Sequence, residues 1–298
     1  MEKRGVEMSD YIVNVCGDST NVSWLIKGDK NILYEAGMAY SADRMIENIK
    51  RELNGESLEA VLLSHSHYDH VAGLPFVRRE WPDVVVYGSE YAAKILEKPT
   101  VRATMRRLST DAAIGSGLAE LPEYDDEQIR IDVTVKEGDI LKIGDTTIAV
   151  YETPGHTKCS VSYLINDDVL MASETIGVFK GGWYMPCYLV GYQMCLDAVE
   201  KLEKLPAKRL FISHMGIQTG SDLEDMKKHW EFIRGKLVET KNEIIDIMKM
   251  CETEEERLAV MKARYHDNVV DESEQPSFAF LLNAAATLNV IVRECMNG

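Results

Sequence analysis

HSHYDH, residues 65–70, places three of the chain's seven histidines and one aspartate in six positions. The preceding EAVLLSH is an apolar run that reads as a buried strand ending in this cluster. In extended chain, side chains at i and i+2 point the same way, so His65 and His67 can converge on one ion. Asp69 and His70, past a turn, can face a second point nearby. Two spacings in one short segment suit two metal ions better than one.

Further candidate donors stand at other strand ends. PGHT supplies His156 after TTIAVYE, ISHMG supplies His214 after RLFI, and ASETIG supplies Glu174 after DVLMAS. Strand ends are where sheet proteins commonly build sites. His229 and His266 lie outside any such motif and read as surface or capping histidines. Cys159 reads as a small buried residue rather than a ligand.

Around these motifs the chain reads as two series of strands. YIVNVCG, NVSWLIKG and NILYEAG are expected strands, followed by a helix over SADRMIENIKREL with Ser41 as its N-cap. VAGLPFVRRE reads as a short helix, DVVVYGS as a strand, and residues 89–118 as mostly helical. IDVTVKEG, ILKIGD, TTIAVYETP, VSYLIND and DVLMASE then give the second strand series, closed by the helix GYQMCLDAVEKLEKL and the strand RLFISHMG. Each half thus offers strands, a helix and a ligand cluster. Residues 221–298 carry helical patterns with almost no strand signal, so the expected division is a main domain over 1–220 and a helical C-terminal cap over 221–298 packed on it.

The 298 residues, 45% hydrophobic and 28% charged, are enough for a large globular core. A formal charge of −16 opposes a nucleic-acid partner, because phosphate backbones call for clustered Lys and Arg. MEKRGVEMSD has no signal-peptide core, and no uninterrupted run of about 18 apolar residues marks a membrane span. The six cysteines form no Cys-x-x-Cys pair, so reduced thiols in a cytoplasmic protein are expected. The expected partner is a small-molecule substrate, not nucleic acid or membrane, and self-association into a homo-oligomer is left open.

HSHYDH with a later His, acid and His resembles the metallo-β-lactamase superfamily, whose motif is His-x-His-x-Asp-His. The likeness runs from residue 10 to about 220. It implies an α/β fold, the αββα sandwich, here with a helical C-terminal extension. It also implies a dinuclear metal site, with His65, His67 and His156 on one ion, Asp69, His70 and His214 on the other, and Glu174 bridging them. The bridging residue in the family is normally aspartate, so Glu174 is a departure. Two divalent ions are implied, zinc first, with iron or manganese as alternatives. HYDHVAGLPF, SEYAAKIL, ASETIGVF and the helical tail are most similar to the subgroup typified by the quinolone signal response protein, whose members are thioesterase-like.

The resemblance implies a hydrolase in which a metal-activated hydroxide, oriented by Asp69, attacks a thioester or ester-type carbonyl. A lactonase or glyoxalase II-like hydrolase is the alternative, and so is a regulatory or binding protein that keeps the metal site with little turnover. Trp183, Tyr184, Tyr188 and Tyr192, in GGWYMPCYLVGY, are expected either to line the substrate pocket or to pack on the helical tail. Arg102 and Arg106, four apart, are expected on an exposed helix face rather than at a substrate phosphate.

Overall fold

The computed structural model describes residues 11–180, 182–217, 223–267, 269–270 and 275–296. The first ten residues, read above for a signal peptide, and the expected 220/221 boundary both lie outside the described residues. Two compact units divide the chain: 1–135 with 141–148, and 136–140 with 149–298.

The first unit holds a six-stranded sheet in chain order, β1 (Ile12–Asn14), β2 (Trp24–Ile26), β3 (Asn31–Tyr34), β4 (Leu58–Leu62), β5 (Val85–Ser89) and β6 (Val133–Val135). β1, β2 and β3 pair antiparallel, whereas β3 to β6 run parallel. The helices α1 (Ala42–Leu53), α2 (Tyr68–Val71), α3 (Leu74–Glu80), α4 (Glu90–Leu96) and α5 (Pro99–Gly115) connect and flank these strands. Parallel neighbours need such crossovers. α1 buries Met45, Ile46, Ile49 and Leu53, the apolar stripe visible in the sequence, against Leu33, Val61 and the rest of the unit's core. Ser41 stands at the N-cap position of α1, but its hydroxyl donates to Asp18 Oδ2 instead of capping the helix. Arg102 and Arg106 are tied to the fold. Arg102 donates to the Leu96 carbonyl, and Arg106 pairs with Asp126 and lies 4.3 Å over the Tyr124 ring.

The other sheet runs β14 (Gly216–Ile217), β13 (Arg209–Ile212), β10 (Val169–Ala172), β9 (Val161–Ile165), β8 (Thr146–Glu152) and β7 (Ile140–Ile143). A ribbon of β11 (Val178–Lys180) and β12 (Trp183–Met185) and the helix α6 (Tyr192–Leu202) follow β10. The C-terminal helical region is α7 (Leu223–Met250), α8 (Glu254–Tyr265) and α9 (Ser277–Ile291), all within the second unit. Trp230, Ile233, Ile244, Met261, Phe280 and Leu288 from these helices share one core with Leu164, Leu170, Leu210 and Ile212 of the sheet.

Among the described residues, one helix, Ser277–Met296, is long and apolar enough to cross a membrane by length and composition. Asn283, Thr287 and Asn289 interrupt the unbroken apolar run sought in the sequence. Its Phe280, Ala284, Leu288 and Ile291 are buried in the unit's core.

Candidate functional site

In the first unit the chain leaves β4 still extended. Leu63 N–H donates to the Tyr87 carbonyl and prolongs the β4–β5 ladder up to the cluster. His67, in extended conformation, is the N-cap of α2, so Asp69 and His70 sit on a helical turn while His65 and His67 precede it. That change from strand to helix gathers the rings. His65 lies 4.6 Å from His67 and 4.1 Å from His70, centroid to centroid. His65 and His70 are buried, and His67 and Asp69 are half-buried. Asp69 Oδ2 stands 3.4 Å from His70 Nε2. Burial first, then the Asp69 charge, pushes the neighbouring Tyr68 phenol well up, so that group stays protonated.

A second layer fixes these rings. Ser64 Oγ lies 2.9 Å from His65 Nδ1. Glu35, fully buried at the end of β3 with φ +59°, accepts from the Ser64 backbone N–H at 3.0 Å. The same oxygen lies 3.5 Å from His70 Nδ1, and the potential ligand atoms of Glu35, His65 and His70 all lie within 4.8 Å of one another.

In the second unit three separate strand ends supply the donors. His156 follows β8 through Thr153, Pro154 and Gly155 and is 1% exposed. Gly155 has φ +147°, and a Cβ there would stand 2.5 Å from Cys195 Sγ and 2.9 Å from its backbone N, so only glycine fits. Ser173 caps the 3₁₀ turn that carries Glu174 after β10. His214, after β13, adopts a left-handed φ of +67°, a strained setting for a non-glycine residue and one concentrated at functional sites.

Glu174 joins the other two. Its Oε2 stands 2.7 Å from His156 Nε2 and its Oε1 stands 2.9 Å from His214 Nε2. His156 Nδ1 lies 2.9 Å from the Cys187 carbonyl, which can only accept, so Nδ1 carries the proton. In the neutral ring Nε2 then presents a lone pair to a carboxylate oxygen. Two acceptors at 2.7 Å repel unless a cation or a proton lies between them. The residues present therefore fit a divalent ion: imidazole and carboxylate donors, with ring orientation set from behind. Burial, then the Glu174 charge, pushes the Cys187 thiol well up and keeps it neutral.

Each unit thus brings its own motif residues together. His65, His67, Asp69 and His70 form one group, and His156, Glu174 and His214 another. Tyr184, Tyr188 and Tyr192 are buried in one core with the C-terminal helices, and Trp183 is half-buried on β12. Cys159 is buried, with its Sγ 3.1 Å from Thr157 Oγ1. His266 is the C-cap of α8, its Nε2 donating to the Gln275 carbonyl. The supporting residues Glu35, Ser64 and Cys187 were not singled out from sequence. Ser64 adjoins a motif histidine and Glu35 ends the strand paired with β4, so both positions were legible. Cys187 acts through its carbonyl, which any residue would supply.

A family model for the metallo-beta-lactamase superfamily matches residues 17–214, and the chain belongs to that superfamily. A probable metallo-hydrolase, YqgX, of Bacillus subtilis (strain 168) is 30% identical over 209 residues, covering 67% of this chain and 86% of that protein. A hydroxyacylglutathione hydrolase of Nitrobacter winogradskyi is 29% identical over 184 residues, covering 59% of this chain. The chain spans only 55% of that relative's length. Among solved structures, a metallo-beta-lactamase superfamily protein from Sulfolobus tokodaii aligns at a TM-score of 0.60 and 14% identity, covering 95% of this chain and 98% of that one. A metallo-beta-lactamase family protein from Thermus thermophilus aligns at 0.60 and 18%, covering 90% and 87%. These likenesses concern the fold. The mixed α/β architecture, with two sheets flanked by helices and a C-terminal helical region, is the metallo-β-lactamase fold expected from HSHYDH.

Proposed function

We propose that the chain is a dinuclear metal-dependent hydrolase acting on a small thioester or ester-type substrate. The observation that carries this reading is Glu174, whose two oxygens face Nε2 of His156 and Nε2 of His214 while Cys187 fixes the His156 tautomer. The extra methylene of glutamate has not cost the carboxylate either imidazole. On this reading His65, His67 and His156 hold one ion, Asp69, His70 and His214 the other, and Glu174 bridges them. Zinc is the first choice of metal, with iron or manganese as alternatives. Bound there, a pair of divalent cations would lower the pKa of a water and polarise a carbonyl.

The chain's own residues orient the reaction. Ser64, Glu35 and the Cys187 carbonyl each sit at the Nδ1 of a histidine, which leaves Nε2 directed forward. Asp69, half-buried and beside His70, is the residue we assign to holding the nucleophile's proton. Hydroxyacylglutathione hydrolase relatives favour a thioester, since an acylglutathione is one. The likeness of HYDHVAGLPF and ASETIGVF to the quinolone signal response subgroup points to the same bond class. We read the C-terminal helices as the cap of this hydrolase. All six cysteines are free thiols, which supports a reducing cytoplasmic setting.

The test is a panel of acylglutathiones, acyl-coenzyme A thioesters, lactones and phosphodiesters, with metal analysis and His65→Ala as control. Thioester turnover by the wild type, lost in the mutant, with two metals per chain, is expected. Equal inertness of both proteins on every substrate would replace the hydrolase with the regulatory or binding reading.

A further inference from the structure

The loop that holds His156 is itself held by the end of the chain. The Cys187 carbonyl takes the His156 Nδ1–H, and three residues later Val190 N–H donates back to the Gly155 carbonyl at 2.9 Å. Gly191 N–H shares that acceptor at 3.3 Å. The loop then enters α6, whose N-cap is Gly191, a residue with no side chain to satisfy the first N–H groups of the helix. A distant carboxylate does so instead. Glu294 Oε2 accepts from Tyr192 N–H at 2.9 Å and from Gln193 N–H at 3.1 Å, across about a hundred residues of sequence. An anion at a helix N-terminus is favourable to the helix dipole as well.

Arg293 completes the clamp by donating to the Val190 carbonyl and to Glu294 Oε1. Both residues lie in Val292–Met296, where α9 widens to a π-helix, a feature frequent at functional positions. The first turn of α6 also rests on the histidine's own hinge, because Cys195 closes the space beside Gly155. The Cys195 thiol is pushed up by burial and then by the Glu294 charge.

We infer that Arg293 and Glu294 are positioning residues for His156, acting through the Cys187–Gln193 loop to fix the ring's tautomer and direction. The inference rests on His156 being a metal ligand as proposed above. Its structural part stands on the clamp alone. Neither residue touches the site. Their effect passes through two backbone carbonyls, Cys187 and Gly155, and the first turn of α6. The C-terminal segment thereby becomes part of the ligand-orienting layer, and its release would loosen one imidazole without removing a donor.

The experiment uses the full chain as wild type, Glu294→Ala, Glu294→Gln and Arg293→Ala. Two readouts are taken beside the thermal midpoint: the ring Nδ1–H resonance of His156 in metal-free protein, and Zn²⁺ affinity by chelator competition. Glu294→Ala is expected to lose the protected ring proton and to bind Zn²⁺ about tenfold more weakly, as losses behind a ligand do. Gln, which keeps an acceptor oxygen, should restore both to within about twofold, and Arg293→Ala should lose about threefold. Should Glu294→Ala fail to fold, Arg293→Ala, whose side chain is largely exposed, decides alone. An unchanged ring proton in the folded variants overturns the inference, as does a loss that Gln fails to restore. Wild-type protein that binds none of Zn²⁺, Fe²⁺ and Mn²⁺ would sink the hydrolase proposal instead, while the ring proton still reports on the clamp.

Discussion

The two groups of candidate ligands are built in opposite ways. His65, His67, Asp69 and His70 come from six consecutive residues, placed by one strand running into one helical turn. His156, Glu174 and His214 come from three strand ends spread over 59 residues. They are held by a left-handed histidine, a capped 3₁₀ turn and a backbone carbonyl, whose loop runs into a helix start that a carboxylate about a hundred residues away satisfies. The first group is specified mainly by local chain geometry, with Glu35 of a neighbouring strand behind it, the second by tertiary structure. Damage far from the ligands should therefore reach the second group more readily than the first.

The largest effects come from the ligands themselves and set the scale. His65→Ala and His156→Ala should each cut turnover on the best thioester by about 10³-fold or more, since the water-activating ion is lost. Glu174→Gln keeps the side chain's length but removes the charge that faces two imidazoles. It should cost on the order of 10²-fold and reduce the metal count from two towards one. A Glu174→Gln protein that retained two tightly held metals would show that the carboxylate does not join the two histidines through ions.

How much of this could be read from sequence follows the same division. HSHYDH disclosed its strand-to-turn geometry because the spacing is local, and the strands and helices around it fell where periodicity put them. The stripe Met45, Ile46, Ile49 and Leu53 is a case where pattern and burial coincide. His156, Glu174 and His214 were visible as strand ends, but their mutual approach depends on β8, β10 and β13 lying in one sheet. Nothing in Glu294, an acid in a tail rich in acids, shows that it caps α6. The roles of Cys187 and Gly155 belong to backbone, which carries no residue code. Tyr184, Tyr188 and Tyr192 carry a strong residue signal, yet aromatic content alone does not separate a pocket wall from a core. Their burial among α7 to α9 required the fold.

Behind the ligands the asymmetry can be tested on stability and affinity together. Gly155→Ala forces a Cβ against Cys195 at a φ of +147°, and Gly73→Ala forces one to 1.9 Å from the Ala36 carbonyl. Each should lower unfolding free energy by about 3 kcal/mol, read from denaturant midpoints. Gly155 adjoins His156 directly, so its variant should also lose metal affinity. Glu35→Gln, the corresponding probe in the first group, should weaken metal binding by roughly 10-fold with little change in stability, because the amide oxygen can still accept from Ser64 N–H. A Glu35→Gln protein as weak as His70→Ala would overturn the idea that the first group is fixed mainly by its own chain.

The smallest effects belong to α8 and its contact with α7, and mark where coupling to the site should end. Thr253 and Glu256 form a capping box at the start of α8, so Thr253→Ala should cost about 1 kcal/mol and leave metal affinity unchanged. Acid supplies a finer probe. Burial alone would raise the Glu243 carboxyl, but hydrogen bonds from Arg264 and Tyr265 outweigh it and hold the group below its usual value. A carboxyl depressed in the folded state contributes stability above its unfolded pKa, about 4.3, and that contribution is lost as pH falls through the lower folded value. In metal-free protein, Glu243→Gln should therefore be less stable than wild type at pH 6, and the gap should close towards pH 3. A gap that stayed constant with pH would place the value of Glu243 in packing rather than in its charge. A closing gap that altered His156 ring protection would extend the clamp from Glu294 into α7 and α8.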